Sequence, residues 1–119
     1  MTVPLDSRLP AVGIRQPWVE LILQGQKALE IRSRHTRVRG QIYLYASRRP
    51  ESSAAGRHVF SSRDLDATAL PYGVLVGSAE LVGSLPTRPV DAVRACLPAH
   101  LLIGQYAWEL RNIHRFATP

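Results

Sequence analysis

Residues 11–32 read AVGIRQPWVELILQGQKALEIR, and this stretch decides the fold of the chain. Its first part, 11–15, is short and mostly apolar, which is typical of a strand. Pro17 fits the first position of a helix, where its missing N–H costs nothing, and Gly25 fits the left-handed residue that ends one. We therefore predict a helix over 17–24.

The second half of the stretch predicts a strand with charged side chains on one face. Apolar and charged residues alternate at period two over 28–32, so Glu30 and Arg32 point the same way. Lys27 lies just before this strand, and its long side chain can swing toward Glu30. The three groups together suit a polar planar ligand, or acid–base chemistry if burial or their mutual charges shift the pKa of Lys27 or Glu30. The alternative is an ion-pair network that only ties the turn to the strand.

The rest of the chain alternates strands with short helices. Further strands are expected over 41–47, 73–85 and 106–114, and further helices from Ser61-Ser62 onward and over 89–96. Gly77 is expected to bulge or bend the long strand, as small barrels require. The pattern predicts an α+β fold, a small β-barrel of five to six strands with two or three short flanking helices.

Length and composition predict a single domain. The 119 residues are 45% hydrophobic, enough for one core, and we place the domain at 11–115 between a flexible arm, 1–10, and a tail, 116–119. The single cysteine excludes an internal disulfide, and no signal peptide is visible, so we expect a cytoplasmic protein. No apolar run is long enough to span a membrane, and no spacing indicates a metal site or a cofactor.

The positive charge is concentrated in the middle third of the chain. The net charge is +6, yet residues 32–63 hold eight arginines against Glu51 alone, which gives +7. Guanidinium groups with hydroxyls between them suit phosphate oxygens. The residues expected to hold a nucleic-acid backbone are Arg34, Arg37, Arg39, Arg48 and Arg49. The alternative is a solvated basic face.

Two motifs resemble those of the ASCH (activating signal cointegrator homology) domain family, in the PUA-like superfamily. They are GIRQPW at 13–18 and Gly-x-Lys-x-x-Glu-x-Arg at 25–32, and the likeness extends over most of residues 11–115. The resemblance implies a PUA-like β-barrel whose cleft holds the signature residues beside a basic surface. Proteins of this fold mostly bind RNA or read modified bases. Some small bacterial ASCH proteins remove the acetyl group from N4-acetylcytidine, and a ribonuclease activity has also been associated with bacterial members.

The resemblance also suggests roles for individual residues. Lys27 matches the signature lysine, which is catalytic in the small deacetylases. Glu30 stands where those deacetylases have threonine, and a carboxylate there would act as a proton acceptor. For their separate catalytic glutamate, Glu80 and Glu109 are candidates by residue type alone.

Six side chains are expected to form a pocket for a base or nucleotide. They are Gln16, Trp18, Lys27, Glu30, Arg32 and Ser47. Three of them have a simpler alternative role. Trp18 fits the core as well as it fits stacking on a base, Gln16 fits a helix cap, and Ser47 fits a turn.

The sequence thus supports two main hypotheses of function. The first is an RNA-binding domain, with DNA or a modified nucleoside as the alternative ligand. The second is a small hydrolase, an N4-acetylcytidine amidohydrolase or a ribonuclease, that uses Lys27 and Glu30. A third hypothesis is a protein-interaction module with a solvated basic face.

Overall fold

One five-stranded mixed sheet is the framework of the protein. A computed structural model describes residues 5–118, in which the sheet forms a half-barrel with three short helices. The strands are β1 (Ala11–Ile14), β2 (Leu29–Arg32), β3 (Gly40–Ala46), β4 (Val74–Pro86) and β5 (Tyr106–Arg115). The helices are α1 (Trp18–Leu23), α2 (Ala54–Ser62) and α3 (Ala92–Ala95). The predicted α+β class, the five strands and their order along the chain are confirmed.

The strand order brings the two motif-bearing strands to opposite edges of the sheet. The order is β1-β3-β4-β5-β2, with β1 parallel to β3 and the other pairs antiparallel. Ile14, at the end of β1, pairs with Ala46, at the end of β3. Arg32, at the end of β2, pairs with Tyr106, at the start of β5. Because the sheet curves into a half-barrel, β1 and β2 approach each other across its opening.

Helix α1 fills the apolar face of this half-barrel. Val19, Leu21 and Ile22 are fully buried, and they belong to one core cluster with Leu44 and Leu81 of the sheet. Burial of each large aliphatic side chain contributes about 1.5–3 kcal/mol. Packing therefore holds this short helix in place, since six residues are too few to be helical alone.

The prediction that a helix starts at Ser61-Ser62 is wrong, because these serines lie at the end of α2. Ser53 is the true N-cap, and its Oγ accepts a hydrogen bond from the Gly56 N–H at 3.2 Å. Both positions have the residue type that caps helices, so local preference alone does not separate them. Burial of Val59 in the main core favours the earlier start.

The helix predicted over 89–96 is shorter than expected. Pro89–Asp91 form a 3₁₀ turn, and only Ala92–Ala95 are α-helical. Cys96 ends this helix in the left-handed conformation, with φ 56°. A second 3₁₀ turn, Ala99–Leu101, follows Pro98.

Two glycines have the roles that the sequence predicts. Gly25 follows α1 with φ 79°, the left-handed conformation of a helix end. At Gly77 the register of β4 against β3 shifts, because Leu44 pairs with Gly77 and Tyr45 with Leu75. One residue of β4 is therefore extra at this point, which is the expected bulge.

The segments expected to be an arm and a tail contact the domain where they are described. The Asp6 N–H donates to the Tyr43 hydroxyl at 2.6 Å, and the Phe116 N–H donates to the Val76 carbonyl at 2.9 Å. Residues 1–4 and 119 lie outside the described residues. Within 5–118, no helix combines the length and apolar character needed to cross a membrane.

Candidate functional site

A cavity of about 380 Å³ lies where the two edge strands approach each other. This volume falls in the usual range of roughly 300–1,000 Å³ for small-molecule sites. Its polar lining comprises Arg15, Lys27, Glu30, Arg32, Ser47, Glu51 and Ser53, and its apolar lining includes Trp18, Ile31, Ala55, Leu97 and Leu101. Three cations, two carboxylates and two hydroxyls thus face one volume. Such a set suits a small ligand that is polar, planar and partly anionic.

Lys27 is the most buried charged side chain of this cavity. Its side chain is only 1% exposed, and its Nζ donates to the Ala95 carbonyl at 2.5 Å. The same Nζ lies 5.3 Å from the centroid of the Trp18 ring and 4.0 Å from Glu30 Oε1. Burial lowers the pKa of Lys27, against the opposing effect of the Glu30 carboxylate. A lysine of lowered pKa in a cavity is a candidate base or nucleophile.

Arg32 connects the two edge strands at the mouth of the cavity. Its Nε donates to Glu30 Oε2 at 2.9 Å, and its Nη2 donates to the Gly13 carbonyl of β1 at 2.5 Å. The guanidinium also lies over the Trp108 ring, 5.3 Å from its centroid. The signature residues therefore form an ion-pair network, as the simpler interpretation expected. The same three side chains line a cavity, so their ion pairing does not keep them away from a bound ligand.

Glu51 and Ser53 are cavity residues that sequence reasoning missed. Glu51 belongs to the loop that follows β3, and its Oε1 accepts hydrogen bonds from the Ser52 and Ser53 N–H groups at 3.0 and 3.3 Å. Arg15 Nη1 lies 3.7 Å from the same oxygen. A signal was present in Ser53, a capping residue type directly before two alanines. It predicts that a helix starts there and that Glu51 lies beside its N-terminus.

Five of the six predicted pocket residues lie together in the cavity lining. They are Trp18, Lys27, Glu30, Arg32 and Ser47. Trp18 is only 9% exposed and belongs to the core, and its side chain also lines the cavity. Gln16 is placed elsewhere, as a fully buried helix cap. Its Oε1 accepts from the Glu20 N–H at 3.1 Å and its Nε2 donates to the Pro71 carbonyl at 3.2 Å.

The five arginines predicted to contact phosphates are all exposed, but they form two groups. Arg34, Arg37 and Arg39 lie in the loop between β2 and β3. Arg48 and Arg49 follow β3, so the two groups lie at opposite ends of that strand. The first loop is anchored by the Trp108 Nε1–H, which donates to the Arg34 carbonyl at 2.9 Å. Each group begins within two residues of a cavity residue, since Arg34 comes two positions after Arg32 and Arg48 directly follows Ser47.

The glutamates considered by residue type do not line the cavity. Glu80 is exposed and accepts a hydrogen bond from Asn112 at 2.9 Å. Glu109 binds Arg94 at 2.5 Å, and this hydrogen bond lowers the pKa of its carboxyl. Glu51 is the second carboxylate of the cavity beside Glu30. Within residues 5–118, no group of three or more histidine, cysteine, aspartate or glutamate side chains is arranged to hold a metal ion.

A protein-family model matches this sequence. The model described as the ASCH domain matches residues 12–119, which is nearly the whole chain. A search among curated proteins returns no significant match.

Proposed function

The chain belongs to the ASCH domain family, and we propose that it binds single-stranded RNA with one nucleotide inserted in the cavity. Family membership favours a nucleic-acid ligand or a hydrolytic activity and does not choose between them. The observation that favours RNA binding is how Lys27 is buried and hydrogen-bonded. Its Nζ already donates to the Ala95 carbonyl and its side chain is 1% exposed, which suits a fixed hydrogen-bond donor in the wall of a binding pocket.

The cavity has a group for each part of a nucleotide. Carboxylates accept hydrogen bonds from base N–H groups, and guanidinium groups donate to carbonyl and phosphate oxygens. Trp18 supplies an aromatic surface within the lining. Arg15 is half-exposed at the cavity, where a phosphate would contact it. A base in the cavity with its phosphate toward Arg15 uses all of these groups.

The two arginine groups extend this site along a strand of RNA. One follows cavity residue Ser47 directly, and the other follows cavity residue Arg32. A nucleotide in the cavity therefore has guanidinium groups available for the phosphates on both its 5′ and 3′ sides. Phosphate contacts position a strand without reading its sequence, whereas the cavity contacts the base.

This proposal predicts a specific salt dependence. Replacing Arg48 and Arg49 with glutamine should weaken binding of a nine-nucleotide single-stranded RNA. The slope of log affinity against log salt should fall by about 1.4, since each phosphate contact on a single strand contributes about 0.7. Replacing Arg34 and Arg37 with glutamine should lower this slope by a similar amount. Fluorescence anisotropy at several salt concentrations measures both.

Arg88 and Arg111 provide the matched control. Both side chains are exposed, and they lie outside the two loops and the cavity. Their double change to glutamine removes the same charge and should leave the slope nearly unchanged. Affinity that stays flat with salt in the unmodified protein, or control variants that weaken binding as much, would contradict the proposed site.

A second function, hydrolysis of an acetylated cytidine, is favoured by the lowered pKa of Lys27. A neutral Nζ would take a proton from water as the water oxygen attacks the acetyl carbonyl. The carbon–nitrogen bond then breaks, the base amine leaves with a proton, and acetate is released. Glu30 Oε1, 4.0 Å from Nζ, is the neighbouring group that would accept or return the proton.

Mass spectrometry of N4-acetylcytidine incubated with the protein tests this second function. On this mechanism the unmodified protein releases acetate, and Lys27→Met, which keeps most of the apolar stem, loses at least about a hundredfold in rate. Circular dichroism of the variant establishes that it is folded. Absence of acetate release, or equal release by the two proteins, would eliminate the hydrolase and leave the binding function.

A further inference from the structure

We propose that the Glu51 carboxylate makes the cavity select cytosine or adenine, which carry an exocyclic amino group where uracil carries the O4 carbonyl, over uracil. This inference rests on the proposed function, because it assigns a specificity to the same cavity. It depends on how Glu51 is held, on which of its oxygens is already occupied, and on the hydrogen-bonding pattern of each base.

Glu51 is held in one orientation by contacts from three directions. Its own N–H donates to the Gln16 carbonyl at 2.7 Å, which fixes its backbone beside the start of α1. Its Oε1 accepts from the Ser52 and Ser53 N–H groups. Its stem packs on Gly56, where an added Cβ would lie 2.7 Å from Glu51 Cγ. The side chain is thus preorganised before any ligand arrives.

One oxygen of this carboxylate remains available to a ligand. Within residues 5–118, every hydrogen bond that the Glu51 side chain accepts is made to Oε1. Of its two oxygens, Oε1 is also the one that lies nearer to the Arg15 guanidinium. Glu30, the other carboxylate, differs in this respect. Its Oε2 accepts from Arg32 at 2.9 Å, and its Oε1 faces the Lys27 ammonium. Of the carboxylate oxygens in the cavity, Glu51 Oε2 therefore has the fewest contacts with other polar groups of the protein.

An acceptor of this kind distinguishes bases by the group at one position of their edge. Cytosine presents an N4 amino group and adenine an N6 amino group, both hydrogen-bond donors. Uracil presents the O4 carbonyl at the corresponding position, and two acceptors repel each other. The N3–H of uracil is a donor, but the carbonyl oxygens on both sides of it repel a carboxylate, which weakens that contact. The free oxygen of Glu51 therefore favours cytosine and adenine over uracil.

The test uses nine-nucleotide RNAs of uridine with one central cytidine, adenosine or uridine. The unmodified protein should bind the cytidine and adenosine versions about tenfold more tightly than the all-uridine version, the value of one good base contact. Glu51→Gln keeps an oxygen for the Ser52 and Ser53 N–H groups and replaces Oε2 with an amide NH₂. This variant should reverse the order and prefer uridine, because the amide donates to O4.

Asp66→Asn is the matched control. Asp66 is exposed, lies outside the cavity, and loses the same single charge in this change. It should keep the order of the unmodified protein. Equal binding of the three RNAs by the unmodified protein, or an unchanged order in Glu51→Gln, would overturn this inference while the proposed function stands. Failure of every RNA to bind would overturn both.

Discussion

Gly77→Ala should destabilise the protein by about 3 kcal/mol, the upper end of the cost of overpacking a well-packed site. A Cβ at this position would lie 2.3 Å from the carbonyl oxygen of His114 and 2.8 Å from Leu23 Cδ2. The oxygen belongs to the backbone of β5, which pairs with β4 along almost its whole length. The methyl group therefore forces two strands apart instead of displacing a flexible side chain. Urea unfolding followed by circular dichroism measures the loss.

Gly83→Ala is the control for this prediction, since it makes the same change in the same strand. The nearest atoms to a Cβ at Gly83 belong to the Glu109 side chain, 3.9 Å away. This variant should remain within about 0.5 kcal/mol of the unmodified protein, as surface substitutions usually do. Equal stability of the two variants would show that the closeness of Gly77 to the His114 carbonyl does not affect stability.

Arg115→Leu should cost about 2 kcal/mol, because it leaves the Glu20 carboxylate without its cation. Arg115 Nη1 and Nη2 donate to the two oxygens of Glu20 at 2.9 and 2.8 Å. The Glu20 side chain is only 9% exposed, and removal of one partner of a fully buried pair costs about 3–5 kcal/mol. The expected loss is smaller here because Arg115 is 46% exposed and Gln24 still donates to Glu20. Thermal and urea unfolding both report it.

Two further variants separate the ion pair from the loss of an arginine stem. Arg111→Leu removes an exposed arginine of the same strand, 3.5 Å from Glu109, and should change stability by less than about 1 kcal/mol. Adding Glu20→Gln to Arg115→Leu removes the buried charge and should recover part of the loss, which a double-mutant cycle measures. No recovery in the double variant would contradict the assigned cause.

The strands and the signature residues were predictable because they depend on local patterns. The alternation over 28–32 places Glu30 and Arg32 on one face, and both line the cavity. The alternation in β3 likewise predicts that Ile42 and Leu44 are buried together, as they are. A period-two pattern carries this information without any knowledge of the tertiary structure.

The role of Glu51 was not predictable in the same way, because it depends on contacts between distant segments. Its place in the cavity requires the loop after β3 to fold back so that its N–H meets the Gln16 carbonyl. The same limit applies to Gln16, whose residue type suits a ligand contact and a helix cap equally. Its burial between Glu20 and Pro71 decides in favour of the cap, and only the folded chain brings Pro71 there.

The contact between Arg32 and Gly13 has a consequence for self-association. The end strands of a sheet carry unpaired N–H and C=O groups, which invite strand addition by another molecule. In this protein the two end strands, β1 and β2, are only four residues long, and they turn toward each other. The guanidinium of Arg32 in β2 donates a hydrogen bond to the main-chain carbonyl of Gly13 in β1. The arrangement that shapes the cavity therefore also removes one main-chain acceptor of β1 from intermolecular strand pairing.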